Sequence, residues 1–184
     1  RLYSIPDSKF CVFPWGVDLT LFKPKSVTEI RERLGWEEAS VLIMNRGFLP
    51  IYGVSYFIRS MVYVIQKNPS VRVLLLGAGP LESDLRDLVN ELGLTSYFSF
   101  EGWVKNDTLP DYLNTADVYV STSLSDGSSL SLLEAMACAL PVVVTDVVAN
   151  LEWVTDGLNG YVAPKKSVNE LAEALLRVLS EPEK

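Results

Sequence analysis

Histidine does not occur in the 184 residues, and its absence removes Ser-His-Asp and Cys-His nucleophile systems, imidazole general bases and His-containing zinc sites. Cysteine occurs only as Cys11 and Cys138, too far apart for a C-x-x-C pair. Cys138 lies in the apolar run AMACALPVVV, where a buried unpaired thiol is expected, and this usage favours a reducing compartment. No stretch reaches the roughly 18 apolar residues that a bilayer span requires, and Arg1-Leu2-Tyr3-Ser4 has no signal-peptide form. Positive charge is in deficit: 16 Lys and Arg face 23 Asp and Glu, a net charge of −7. That is the wrong sign for broad capture of a nucleic-acid backbone. The start without Met, and the trailing Ser180-Glu181-Pro182-Glu183-Lys184, are those expected of a fragment of a longer protein.

With 48% hydrophobic and 10% aromatic residues, the chain suits a single domain that buries roughly 70% of its extended-chain surface. Short apolar runs alternate with segments of helical period, the pattern of parallel strands joined by crossover helices. The expected strands are Phe10–Phe13, Val41–Met44, Val71–Leu76, Tyr97–Phe100, Val118–Val120 and Val142–Val144, with Gly160–Val162 as a short addition. Leu81, Leu85, Leu88, Val89 and Leu92 predict a helix behind Pro80 and before Gly93. Ser167 to Glu170 has capping-box form, and Ser26 to Glu29 makes a similar entry to a shorter helix ending near Gly35. Val54–Lys67, Ser129–Ala139 and a short helix at Leu109–Asn114 complete the set. Strands apolar along their whole length are covered on both faces, so the expected fold is α/β: a Rossmann-like, doubly wound parallel sheet of six or seven strands. Ligands of such sheets bind beyond the carboxyl ends of the strands.

Three strand ends carry residues suited to an anion. Gly77-Ala78-Gly79-Pro80 is a glycine turn whose amides suit a phosphate or a sugar, or simply a tight turn. Neither G-x-G-x-x-G nor G-x-x-x-x-G-K-[ST] is complete, since position 82 is Glu82. Arg46 follows Val41–Met44, where a guanidinium fits phosphate oxygens bidentately; a surface ion pair is the bland alternative. After Val118–Val120, the turn Ser125-Asp126-Gly127-Ser128-Ser129 leads into a helix whose N-terminus carries about half a positive charge. Asp126 and Glu134 stand eight residues apart, one before that helix and one inside it. They can reach two parts of one extended ligand; the bland readings are helix capping for Asp126 and an i, i+3 partnership with Ser131 for Glu134.

At this segment the sequence resembles the glycosyltransferases of family 4, or group 1, specifically their C-terminal nucleotide-sugar-binding domain. The resemblance rests on Asp126-x7-Glu134, Glu134-Ala135-Met136-Ala137-Cys138, Pro141 to Val144 and Thr145-Asp146. Further matches follow the same order: Gly16-Val17-Asp18 with Phe22, Gly77 to Pro80, Phe100 to Val104, Leu113 to Val118, and Asp156 to Gly160. It implies the second half of a GT-B enzyme, with residues 1–184 as a single donor-binding domain and the acceptor domain outside this chain. Carried over by position, it implies Arg46 on the donor diphosphate, Glu134 on the ribose, Asp126 on the transferred sugar, and Ser128, Ser129 and Leu130 at the sugar-phosphate region. Val104 borders the base, with Gly77 and Gly79 in the nucleotide turn.

The resemblance further implies retention at the anomeric carbon, no bound metal and no cofactor, the substrate being a UDP- or GDP-sugar. The expected partners are that donor and, through the missing domain, a carbohydrate or lipid-linked acceptor; neither nucleic acid nor a transmembrane segment is expected. The implied location is cytoplasmic, with peripheral contact at the inner face of a membrane open to the intact protein. Two residues depart from the family pattern. Asp126 stands where Glu is usual, and Tyr52, before Gly53, stands where Lys is usual. Tyr52 supplies a hydrogen bond but no charge, a loss of about 1.5–3 kcal/mol unless a cation such as Lys105 compensates. Two rival readings stay open here: a degenerate domain that holds nucleotide sugar without transfer, and a sugar-nucleotide epimerase of the same architecture.

Overall fold

The apolar runs assemble into one parallel sheet of six strands in the order β3-β2-β1-β4-β5-β6. The structure, a computed structural model, describes residues 6–11, 13 and 15–181. The strands are β1 Ser40–Asn45, β2 Val71–Leu76, β3 Phe98–Gly102, β4 Val118–Ser121, β5 Val142–Thr145 and β6 Tyr161–Ala163. The helices are α1 Glu29–Leu34, α2 Val54–Lys67, α3 Glu82–Glu91, α4 Leu109–Thr115, α5 Leu130–Ala137, α6 Val148–Leu151 and α7 Val168–Ser180.

Alternation along each strand divides the core between two faces. Leu42 and Met44 of β1 point to a cluster with Phe57, Ile58 and Met61 of α2, Leu85 of α3 and Leu175 of α7. Val41 and Ile43 point the other way, to Leu113 of α4, Leu132 and Ala135 of α5, and Trp36. Each large apolar side chain so buried contributes about 1.5–3 kcal/mol. Both faces are therefore covered, as continuous apolar strands require, and the doubly wound α/β expectation holds with six strands.

Three expectations need correction. The run Phe10–Phe13 forms no strand at its described residues Phe10, Cys11 and Phe13, while Val12 lies outside the described residues. Phe10 and Phe13 are 58% and 78% exposed. Apolarity over four residues does not by itself select a strand, and the flanking Pro6 and Pro14 each remove a ladder donor. The first helix begins at Glu29 with Thr28 at its N-cap rather than Ser26, and the Glu29 carboxylate accepts the Thr28 N–H at 3.2 Å. Glu82 opens α3, so Pro80 precedes the helix instead of occupying its first turn. Ser167 does stand at the N-cap of α7, without a side-chain cap bond. Among the described residues, no helix is long and apolar enough to cross a membrane.

Candidate functional site

Sheet order reverses between β1 and β4, which places a crevice at their carboxyl ends. Arg46 leaves β1 with its backbone N–H still bonded to the Leu76 carbonyl at 3.0 Å. Its guanidinium lies over the Tyr52 ring, 5.0 Å from the centroid. It then crosses to the loop after β4, where Nη2 donates to the Asp126 carboxylate and to Ser129 Oγ at 2.7 Å. The Arg46 and Asp126 side chains are only 10% and 12% exposed, so this is a desolvated pair rather than a surface one. Arg46 Nε is buried without a partner.

Buried hydroxyls fix the loop that carries Asp126. Thr122 Oγ1 donates to the carbonyls of Tyr52 and Gly53 at 3.0 and 3.1 Å, and the Leu124 N–H reaches the Ile51 carbonyl at 2.8 Å. The loops after β1 and β4 are thereby stapled together. From β5, Thr145 Oγ1 donates to the Ser123 carbonyl at 2.6 Å. From β4, the fully buried Tyr119 hydroxyl donates to Ser131 Oγ at 2.9 Å in the first turn of α5. Ser131 is thus Tyr119's partner rather than Glu134's.

Beyond these tethers α5 begins at Leu130, with Ser129 at the N-cap, directing its N-terminus to the crevice. The Leu130 amide is already bonded to the Ser128 carbonyl at 3.0 Å, and Asp126 Oδ1 accepts the Gly127 N–H at 2.9 Å. Asp126 therefore braces its own turn and pairs with Arg46, whereas the helix-capping reading fails: Ser129 is the N-cap of α5, and no side chain makes a cap bond there.

Glu134 sits one turn further along α5 and is 8% exposed. Burial pushes its carboxyl above the ordinary range, against a hydrogen bond from the Asn45 side chain and the Arg46 charge. Burial likewise drives the Tyr119 phenol upward. For Arg46, burial works to lower the pKa, but Tyr119, Asp126 and Tyr52 outweigh it and the pKa rises, so the guanidinium stays charged.

A cavity of about 260 Å³ adjoins Arg46, lined by Asn45, Gly47, Gly77, Trp103, Val104 and Leu109 among others. Close approach requires glycine at Gly77, on its rim, and at Gly79, outside it. Gly77 has φ +143, and a Cβ there would strike the Arg46 carbonyl; a Cβ on Gly79 would lie 2.6 Å from the Phe48 carbonyl. The Gly77 N–H is spent on the Gly102 carbonyl at 2.7 Å. This turn is accordingly explained by packing, and Gly79 lies against Phe48 rather than in the cavity. A larger hollow of about 680 Å³, bounded by Ser40, Val118 and Pro141, opens at the amino ends of the strands, away from this constellation.

The structure thus brings together Arg46, Tyr52, Asp126, Ser129 and Glu134, with Ser128 and Leu130 in the adjoining turn and Gly77 and Val104 at the cavity. Tyr119, Thr122 and Asn45, which sequence reasoning did not single out, belong to the same constellation. Lys105 is exposed on the loop after β3. Among the described residues, no group of three or more His, Cys, Asp or Glu is placed to hold a metal ion.

A parallel sheet with a charged crevice at its reversal point, a helix N-terminus facing it and a cavity beside it defines a Rossmann-like ligand-binding domain of the kind found in GT-B glycosyltransferases. Residues 39–181 match the glycosyl transferases group 1 family, and the chain belongs to that family. It is 29% identical, over 98% of its length and 47% of the relative's, to an uncharacterized glycosyltransferase of Methanocaldococcus jannaschii. It is 31% identical, over 97% of its length and 47% of the relative's, to the UDP-Gal:alpha-D-GlcNAc-diphosphoundecaprenol alpha-1,3-galactosyltransferase of Escherichia coli. Anabaena HepE, solved with UDP and glucose, superimposes with a TM-score of 0.82 at 25% identity, over 90% of this chain and 46% of that one. The chain spans about half the length of the curated relatives it matches.

Proposed function

We propose that this chain is the donor nucleotide-sugar-binding domain of a retaining glycosyltransferase, which moves a hexose from a UDP- or GDP-sugar to a carbohydrate or lipid-linked acceptor. The observation that carries this reading is the buried, charged Arg46 guanidinium held at the sheet's reversal point against the N-terminus of α5. HepE, a fold relative solved with UDP and glucose, supports it. Residues 1–184 then form one half of the enzyme, and the acceptor-binding half lies outside this chain.

In this reading Arg46 and the α5 N-terminus take the diphosphate, Glu134 accepts hydrogen bonds from the ribose, and the cavity beside Val104 takes the base. Cleavage of the bond between sugar and phosphate builds negative charge on the leaving oxygen and positive charge on the sugar. A fixed guanidinium and helix dipole stabilise the former with little reorganisation, and the Asp126 carboxylate lies close enough to meet the latter. This division of charge assigns no step to a metal ion or cofactor. Tyr52 holds the guanidinium by its ring and adds no second cation.

The test is sugar transfer and donor hydrolysis by the full-length protein across UDP- and GDP-hexoses, alongside Arg46→Ala. Transfer from one donor, depressed about 100-fold or more by the substitution, is the expected result. An absence of both transfer and hydrolysis with every donor would remove the catalytic reading, and unchanged rates in Arg46→Ala would remove the role of Arg46.

A further inference from the structure

The Arg46 guanidinium, which the donor diphosphate needs, is already occupied. Asp126 and Ser129 share a single nitrogen, Nη2, while Nε is buried without a partner. A carboxylate that engages only one nitrogen uses less than the bidentate capacity of a guanidinium, and a buried unpaired donor is a cost carried by this arrangement. The resident pair is therefore an under-satisfied one that a phosphate with several oxygens can outcompete.

The segment holding Asp126 is built to let go. On one side Thr122, Ser123 and Leu124 are tied to neighbouring elements, and on the other Ser131 is tied to Tyr119. Between them, among the described residues, residues 125–128 bond outside themselves at two points: the Ser128 carbonyl accepts the Leu130 N–H of the adjoining α5, and the ion pair of Asp126 alone reaches an element beyond that helix. A Cβ on Gly127 would meet nothing within 4 Å, so the turn has room. Arg46 meanwhile keeps Ser129 Oγ and the Tyr52 ring when the carboxylate leaves.

We propose that Asp126 is a resident competitor for the anion seat on Arg46: its carboxylate fills the seat in the ligand-free protein, a diphosphate displaces it, and the displaced carboxylate turns to the sugar hydroxyls. This rests on the donor-site reading. It makes Asp126 act in two opposite ways, weakening the binding of a bare nucleoside diphosphate and assisting a nucleotide that carries a sugar. The exchange also discriminates by charge, because a ligand without a diphosphate cannot dislodge the carboxylate.

The experiment is calorimetric titration of this chain with UDP and with GDP, in the wild type, Asp126→Ala and Asp126→Asn. Far-ultraviolet circular dichroism checks that each variant is folded, and Asp126→Asn retains the side chain's volume should the alanine variant fail to fold. The expected result is tighter binding of the bare diphosphate in the variants, by about five- to fifty-fold for loss of a charge-assisted competitor, together with a larger ligand-induced rise in Tm than in wild type. A loop-supporting role alone would loosen binding instead. Wild-type binding with equal or weaker affinity in both folded variants overturns the competitor role and leaves the donor site standing. Binding by none of the three proteins, to either nucleotide, overturns both.

Discussion

Removing one oxygen from Tyr119 tests how the site is held up. Its hydroxyl is fully buried and donates to Ser131 Oγ at 2.9 Å, linking β4 to the first turn of α5, which presents Ser129 to Arg46. Tyr119→Phe keeps the ring and its packing against Ile43, Leu132 and Val142, so the change isolates the hydrogen bond. A neutral buried bond contributes about 0.5–1.5 kcal/mol, and the loss rises to about 1–2 kcal/mol when the remaining hydroxyl is left buried without its donor. For a chain of this size, 1 kcal/mol corresponds to about 2–4 °C in Tm, which predicts a fall of about 2–8 °C. Urea unfolding followed by circular dichroism should show a lower midpoint at an unchanged slope, and native-state hydrogen exchange should speed up at the amides of the first α5 turn. An unchanged or raised Tm, with unaltered exchange in α5, would refute the claim that this bond anchors the helix.

Three further outcomes follow from the same geometry. Gly77→Ala drives a Cβ into the Arg46 carbonyl at φ +143 and should cost about 3 kcal/mol or more; a wild-type urea midpoint would contradict the close approach. Thr122→Val removes the staple to the Tyr52 and Gly53 carbonyls and should destabilise by about 1–3 kcal/mol; equal stability would show that the two loops hold together without it. Burial raises the Glu134 carboxyl above its ordinary value, so the folded state binds its proton more tightly than the unfolded chain does. Its ionisation then subtracts stability as pH climbs from the ordinary carboxylate range through the raised value. Glu134→Gln should therefore gain on the wild type in that window, in stability curves measured from pH 4 to 8; a pH-independent difference, or one of opposite sign, would refute the burial argument.

Much of the scaffold was legible because strand and helix signals are local. Val71–Leu76 and Val54–Lys67 carry their own periodicity and match the observed elements residue for residue. Arg46 and Asp126 were legible as strand-end residues, since the parallel-sheet pattern alone says where ligands lie. Their pairing was not, because it joins positions 80 apart in sequence that only the reversal of strand order brings together. Tyr119 was hidden for a different reason: inside the strand Val118–Ser121 it reads as one more apolar residue, and its polar tip acquires meaning only once α5 packs above it. Phe10–Phe13 shows the converse, an apolar run that finds no strand partner among its described residues. The Gly77 turn suggested a phosphate cradle, yet its N–H is spent on Gly102 and its lack of a side chain is demanded by the Arg46 backbone.

The central claim is that Arg46 and Glu134 grip the two ends of one nucleoside diphosphate in the crevice between β1 and β4. Calorimetric titration of the wild-type chain with UDP, GDP and ADP, beside folded Arg46→Ala and Glu134→Ala variants, tests it most directly. The account predicts one-to-one binding of a uracil or guanine nucleotide that falls about ten-fold or more in each variant. Binding that survives both substitutions undiminished, or no binding by the folded wild-type chain, would contradict it.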